Sequence, residues 1–392
     1  MPWKVETVNE TRREFARKIE AKEKSMAALC REYGISRPTG YKWLKRYETG
    51  EIMIDRSRKP FHTANRISAE AEEKIVAARK AEPAIGALKT RKMLMNDNWA
   101  DPPSVSTINA VFRRNGLIAK EASQKATPYR RFEKETPNDM WQADFKGDFL
   151  MRDGIRCYPL SIIDDCSRFC LCGDAKSNIQ LPSTKESFEN AFQTYGLPKI
   201  LLCDNGSPWG NSQTTSITHF EVWMMELSVL PIHIRPKHPQ TQGKVEKFNG
   251  SYKQERLRFY LPENMADAQR NREEYQLFYN YRRPHHALGL DVPANRYLPS
   301  SRLYPERIEE WQYESDCEIR VVKSSGYINY CGQGFYLSEG LGDKKVALRP
   351  SEKEGVLDIV FRQFRVGRLD LENHTITSRR IYLLHNDPRA NV

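Results

Sequence analysis

The stretch Ile200-Leu201-Leu202-Cys203-Asp204-Asn205-Gly206 decides the fold. Four consecutive apolar residues ahead of a turn-forming triplet mark a strand buried on both faces, as a sheet covered by helices requires. The acid that follows would emerge at that strand's carboxyl end, where open α/β sheets place their ligands. Asn-Gly can also make a two-residue hairpin turn. Here the chain continues as Ser-Pro-Trp-Gly-Asn-Ser-Gln-Thr-Thr-Ser rather than into an alternating strand, which favours a loop lining a site.

Working outward, strand patterns occur in DMWQADFKGDF, CYPLSIIDD and FCLCGDA, ahead of a helix in SFENAFQTYG. Downstream come the helix HFEVWMMELS, the strand VLPIHI and a long helix from about Gly243 to Arg258. Three meandering strands followed by alternating helices and strands predict a mixed sheet with helices on both faces, spanning 137–300.

Two further acids stand out in this segment. In Trp141-Gln142-Ala143-Asp144-Phe145, period two sends the apolar set to one face and Asp144 to the other. Glu246 lies in HPQTQGKVEKFNGSYKQE, where Val245, Phe248 and Tyr252 recur as a buried stripe and Glu246, Asn249, Gly250 and Lys253 take an adjoining face. Either acid alone reads as an ordinary solvated carboxylate. Three acids converging from two strands and a helix would instead hold two Mg²⁺ ions roughly 3.5–4 Å apart, for in-line displacement at phosphorus. Hard divalent ions select carboxylate oxygens over Cys or His. Arg235, Lys237 and His238 ahead of the helix, with Lys244, Lys247 and Lys253 along it, are candidates for neutralising phosphates. Asp164 and Asp165 are rival acids, read as turn or capping residues. His285-His286 reads as a core edge, and Cys166, Cys170 and Cys172 lack the four converging ligands of a zinc site.

The flanks have their own character. Residues 1–60 are helical and carry 15 basic against 9 acidic residues, over half of the chain's net +11. SMAALCREYGISRPTGYKWLKRYETG has the form of a helix-turn-helix, with Ser25 and Ser36 as N-caps and Gly34 between the helices. Its second helix would present Arg37, Thr39, Lys42, Lys45 and Arg46 to a major groove, although a packed helix pair with a solvated face fits the same pattern. A second helical unit over 61–118 ends in a basic tip, Arg113-Arg114, and reads either as another helix-turn-helix or as a plain three-helix bundle. Residues 119–136 are polar and aperiodic, a linker whose Arg130 and Arg131 could track a phosphate backbone. Short strands separated by Gly-containing turns over 301–392 predict a small β-barrel.

At 392 residues the chain has room for several domains. Its basic balance favours a polyanionic partner. No apolar run long enough to span a bilayer and no signal-peptide pattern are present, so a cytoplasmic protein with no membrane partner is expected. No phosphate-binding P-loop motif occurs, so no ATPase activity is expected of the chain by itself.

WQADF, the CDNGSPW block and HPQTQGKVEKFNGSYKQE resemble, in order, the three catalytic motifs of the DDE transposase and retroviral integrase superfamily, closest to bacterial insertion-sequence transposases. YNYRRPHHALGLDVPANRY resembles the stretch that closes such cores. The resemblance implies a multidomain chain: all-α helix-turn-helix units, a ribonuclease-H-like α/β core and a C-terminal β-barrel. It implies that Asp144, Asp204 and Glu246 bind two Mg²⁺ ions (Mn²⁺ substituting) and catalyse 3′-end nicking and strand transfer of DNA. It further implies double-stranded DNA partners (transposon ends and target) and a homo-oligomer, at least a dimer on DNA, with an accessory ATPase left open. The interval before Glu246 is longer than the family's usual one, which predicts an extended loop across Pro208 to Ser216, and the zinc-binding His/Cys unit of retroviral integrases is missing. The alternatives are a transposase-derived repressor or architectural protein with an idle centre, and a nuclease of the same fold acting on RNA–DNA hybrids.

Overall fold

The computed structural model describes residues 8–55, 67–118, 133–210, 216–234, 242–377 and 381–384. The chain divides into two compact units, Met1–Ile67 and Ser68–Val392.

In the first unit, α1 (Val8–Glu20), α2 (Met26–Glu32) and α3 (Arg37–Glu48) form the helix-turn-helix that the sequence predicts. Ser25 and Ser36 cap α2 and α3 by accepting from Ala28 N–H at 3.3 Å and Thr39 N–H at 3.4 Å. Between the helices Gly34 takes φ +62°, a conformation costly for residues with a Cβ. Phe15, Leu29 and Cys30 make one small core, and Ala16, Trp43 and Met53 another.

The second unit opens with α4 (Ala69–Ala81), α5 (Ala87–Asn96) and α6 (Val105–Arg114). Its central sheet contains β1 (Met140–Phe145), β2 (Phe149–Leu150), β3 (Arg156–Asp164), β4 (Cys170–Lys176), β5 (Ile200–Cys203) and β6 (Leu230–His233). The meander β1, β3 and β4 pairs antiparallel, while β5 lies parallel to β1 on the other side and β6 parallel to β5. That order, β4-β3-β1-β5-β6, is the mixed sheet of a ribonuclease-H-like core. On one face α7 (Leu181–Tyr195) and α8 (His219–Glu226) bury Phe188, Phe192, Phe220 and Met224 against Trp141, Ala143, Leu160 and Leu201. Trp209 belongs to this cluster, meeting Phe188 and Phe220 edge to face and Phe145 at a tilt, so the interval expected as a loop from Pro208 begins with a buried anchor.

The opposite face is shared. Over Ile163 and Cys170 lie α9 (Gly243–Tyr252), its π-helical extension Lys253–Leu257 and α10 (Met265–Tyr281), through Val245, Phe248, Tyr252, Tyr275 and Tyr279. Ile85 and Met93 from the α4–α6 unit join the same cluster, and Arg256 is paired with Glu82 at 2.7 Å. Helices α4–α6 therefore share a core with the sheet that follows them.

Over Met140, Ile200 and Leu202 lies the C-terminal region, and here the expected closed barrel is corrected. Strands β7 (Glu318–Val321), β10 (Lys345–Pro350), β11 (Val356–Phe361), β12 (Phe364–Asp370), β13 (Thr375–Thr377) and β14 (Tyr382–Leu383) form an open sheet in the order β13-β12-β11-β10-β7, with β14 also on β12. Strands β8 (Tyr327–Tyr330) and β9 (Gln333–Tyr336) make a separate hairpin. A barrel closes to hide its apolar interior and its edges. In this sheet Val346, Leu348, Ile359, Phe361 and Val366 are instead covered together with Met140, Leu202, Ile217, Met225 and Leu230 of the core, so the interior is satisfied without closure. The approach is tight. A Cβ at Gly340 would lie 2.3 Å from the Ile217 carbonyl, next to the start of α8. Gly340→Ala is therefore expected to cost about 1–3 kcal/mol by urea unfolding, and an unchanged midpoint would show that this contact yields freely.

Candidate functional site

The site grows out of strand register. Met140, Trp141 and Gln142 pair with Ile200, Leu201 and Leu202, and the same offset carried two residues further sets Asp144 level with Asp204, just beyond the end of β5. On its other side Asp144 pairs with Ser161 of β3. Across that face runs α9, whose stripe Val245, Phe248 and Tyr252 is fully buried while Glu246 is exposed. Gln242 Nε2 donates to the Ala143 carbonyl at 2.7 Å, and the Val245 N–H donates to Gln142 Oε1 at 3.3 Å, fixing the start of α9 to the strand that bears Asp144.

The three acids act on one another. Burial pushes the half-buried Asp144 carboxyl up to about 7, and repulsion from Asp204 and then Glu246 adds to it, against a hydrogen bond from Asn249 and the charge of Lys146. Asn249 Nδ2 donates to Asp144 Oδ2 at 2.8 Å. Asp204 is held by its own loop. Gly206 N–H donates to its Oδ1 at 3.0 Å, and its carbonyl meets His233 Nδ1 at 2.6 Å. The other nitrogen of His233 faces Glu221 Oε1 at 3.0 Å. Burial lowers the pKa of His233, but the Glu221 hydrogen bond and charge outweigh it, so the net shift is upward. Asn205 Nδ2 donates to the Ile234 carbonyl at 2.9 Å, tying the loop to the end of β6. Among the described residues, the group of three metal-ligating side chains with ligand atoms within 4.8 Å of one another is Glu314, Asp316 and Cys317; the acids of this site are spread more widely.

The rival acids have structural duties. Asp164 caps its turn, accepting from Asn138 N–H at 2.7 Å and from Ser167 N–H and Oγ at 2.7 and 2.6 Å. Asp165 accepts from Gln142 Nε2 at 2.7 Å and pairs with Lys244 at 2.5 Å. Lys244, expected among the phosphate-neutralising residues, is thus turned inward onto a buried carboxylate, while Lys247 and Lys253 are exposed. Lys146 adds a positive charge that the sequence reading missed. Burial lowers its pKa, as does repulsion from Lys253 and Arg272. His285 packs on Tyr279 with ring centroids 4.5 Å apart, and burial together with Arg283 pushes it down to about 2.

On α3, Arg37 and Lys45 are exposed, as is Tyr41, which the sequence reading passed over. Thr39 shares a 2.8 Å hydrogen bond with Ser36 at the cap. Lys42 lies 3.7 Å from Asp55, and Arg46 donates to the Ile54 carbonyl at 2.7 Å. At the second basic tip Arg113 is exposed, but Arg114 is paired with Glu72. Arg130, Arg131, Arg235, Lys237 and His238 lie outside the described residues.

Four stretches of the chain match known protein families. Residues 134–239 and 227–293 each match an integrase core domain, 317–377 match the C-terminal domain of IS481 family transposases, and 11–61 match a helix-turn-helix domain. The 39.2 kDa protein of insertion element IS476 from Xanthomonas euvesicatoria is 27% identical over 159 residues, 40% of this chain and 44% of that one. The 31.7 kDa protein of insertion element IS407 from Burkholderia multivorans is 25% identical over 182 residues, 46% of this chain and 61% of that one. The chain thus spans about half the length of these relatives. Among solved structures, the HTLV-2 integrase catalytic core in complex with magnesium is 16% identical, covering 41% of this chain and 97% of that one at a TM-score of 0.33. A simian T-cell lymphotropic virus intasome is 15% identical, covering 67% and 90% at a TM-score of 0.36. In these stretches the chain is similar to integrase cores, to the C-terminal domain of IS481 family transposases and to proteins of bacterial insertion elements. No helix among the described residues is long and apolar enough to cross a membrane.

Proposed function

We propose that the chain is a DNA transposase that binds element ends through its helix-turn-helix unit and nicks and joins DNA at Asp144, Asp204 and Glu246. The observation that carries this reading is the meeting of the three acids at one end of the sheet: burial, and then repulsion from Asp204 and Glu246, lifts Asp144 to about 7, and bound positive charge would relieve it. The donor set contains only carboxylates, which fits Mg²⁺ or Mn²⁺ and not a thiophilic metal. When bound, two such ions would activate the attacking water or 3′-hydroxyl and stabilise the leaving 3′ oxygen. The chain's own residues fix the acids. Asn249 holds Asp144, the Gly206 N–H holds the Asp204 carboxylate, and the α9 stripe fixes the direction of Glu246. Lys146, Lys247 and Lys253 lie where they would offset the charge of a DNA backbone. On α3, exposed Arg37 and Lys45 suit phosphate or base contacts. Holding two DNA ends at once calls for a homo-oligomer of at least two chains.

The test is strand transfer in Mg²⁺ of a labelled, pre-nicked element end into plasmid, with wild type beside Asp204→Asn. Joined product from wild type alone, with equal DNA binding by both, is the expected result. Binding without joining by either protein would favour a repressor whose centre is idle.

A further inference from the structure

Arg272 of α10 is 1% exposed, and no carboxylate contacts its guanidinium among the described residues. The guanidinium lies 4.5 Å from the Tyr252 ring centroid and 5.4 Å from that of Phe248. Its Nε and Nη1 have no hydrogen-bond partner. A buried cation so incompletely satisfied is costly, and a functional duty is one reason a fold retains it. The remaining nitrogen, Nη2, donates to the Leu160 carbonyl and to Ser161 Oγ, both at 2.8 Å. Since Ser161 Oγ accepts there, its hydroxyl proton is free to point onward, and it donates to Asn249 Oδ1 at 2.7 Å. Asn249 then spends an amide proton on Asp144 Oδ2 at 2.8 Å. Every bond in the chain Arg272–Ser161–Asn249–Asp144 points the same way, from a fixed cation to a carboxylate. Ser161 and Asn249 are themselves buried, at 0% and 4% exposure. Aligned hydrogen bonds of this kind polarise one another in a low dielectric.

We infer that Arg272 and Ser161 are positioning residues for Asp144, acting through Asn249. They lock the amide of Asn249 in the orientation that presents N–H to Asp144, and so hold one carboxylate oxygen and leave the other to face a metal ion. If Asn249 flipped, its carbonyl would oppose the carboxylate and would lose its donor from Ser161. This rests on the reading of Asp144 as a metal ligand proposed above.

The experiment measures Mn²⁺ binding to the full chain without DNA, by the electron paramagnetic resonance signal of free Mn²⁺. The site of interest is the binding lost in Asp144→Asn. Ser161→Ala, Asn249→Ala and the double variant are compared, with circular dichroism to confirm that each is folded. Ser161→Ala is expected to weaken that site about 10-fold, as loss of partners behind a metal ligand does. The double variant should be no weaker than Asn249→Ala alone, because both changes break one chain. Independent structural damage would instead add. Arg272→Lys, which keeps the charge but not the forked donor, should weaken the site in the same direction. Wild-type affinity in Ser161→Ala, or additive losses in the double variant, would overturn the positioning role while leaving the metal site standing. Absence of any Asp144-dependent Mn²⁺ binding in wild type would overturn both this inference and the reading of the site beneath it.

Discussion

Asp144→Asn is expected to raise the stability of the metal-free protein at pH 8 while lowering DNA joining by on the order of 10³-fold or more. The two effects have one origin. Burial, Asp204 and Glu246 lift the carboxyl from its ordinary 3.8 to about 7. The folded state therefore disfavours the charged form, and the sign of the linkage follows. Below about pH 4 the group is protonated in both the folded and unfolded states and costs nothing. Between about pH 4 and 7 the unfolded chain releases its proton more readily, so stability falls as pH rises. Above 7 the full penalty applies, with an upper bound of about 4 kcal/mol for a shift of this size. Asparagine removes the charge and can still accept from Asn249 through its amide oxygen. Thermal unfolding followed from pH 4 to 8 should show the variant's advantage appearing across that interval, at about 1–4 kcal/mol and a few degrees at pH 8. Mg²⁺ should reverse the order by stabilising wild type and not the variant. A variant less stable than wild type at pH 8 would mean that Asp144 is a structural anchor and not a strained ligand.

The parts of this site that were legible in the sequence are those set by short-range periodicity. Ile200–Cys203 had no polar position to offer solvent, so a strand covered on both faces followed, and β5 is wholly buried. Val245, Phe248 and Tyr252 define the packed side of α9 at helical spacing, and all three are buried as that spacing requires. What the sequence could not display is which partner a polar side chain meets across long separations. Asn249 shares the i, i+3 relation with Glu246, and the spacing puts it on an adjoining face; its hydrogen-bond partners, Ser161 and Asp144, come from two strands far away in sequence. Lys244 looked like any basic residue on a helix flank until Asp165 was brought beneath it. Arg46 reads from the sequence as a groove-facing cation and Arg114 as part of a basic tip; Arg114 is paired with Glu72 and Arg46 donates to the Ile54 carbonyl.

The C-terminal strands show the same boundary at larger scale. Alternating apolar residues are identical in a closed barrel and in an open sheet lying on another core. The distinction rests on whether β7 meets β13, which no local pattern encodes, and on the availability of Met140, Leu202 and Ile217 as a cover. The sequence predicts a second helical unit over 61–118 from its cap-helix-Gly patterns. Ile85 and Met93 nonetheless finish the cluster around α9 and α10.

Beside that cluster lies the position where a single change should do most damage to the fold. Glu255, in the π-helical turn after α9, receives Arg283 through Nη2 to Oε1 at 2.6 Å and Nε to Oε2 at 2.7 Å. Tyr275 donates its hydroxyl to the same Oε2 at 3.2 Å, and Arg283 reaches Ser251 Oγ at 3.3 Å. The paired side chains are only 9% and 7% exposed. Two charges taken out of water are tolerated because the fork satisfies both carboxylate oxygens at once. Glu255→Ala leaves the guanidinium buried beside Lys89, whose pKa burial and Arg283 already lower to about 8. The expected loss is about 3–5 kcal/mol, measured by guanidinium unfolding. The double variant Glu255→Ala/Arg283→Met removes both charges and should recover part of it, because an uncompensated charge costs more than a missing pair. DNA joining should fall as well, since the π-helical turn continues the helix that carries Glu246. A loss below about 1 kcal/mol for Glu255→Ala would indicate that water reaches Arg283, and would put this pair among the weak surface contacts.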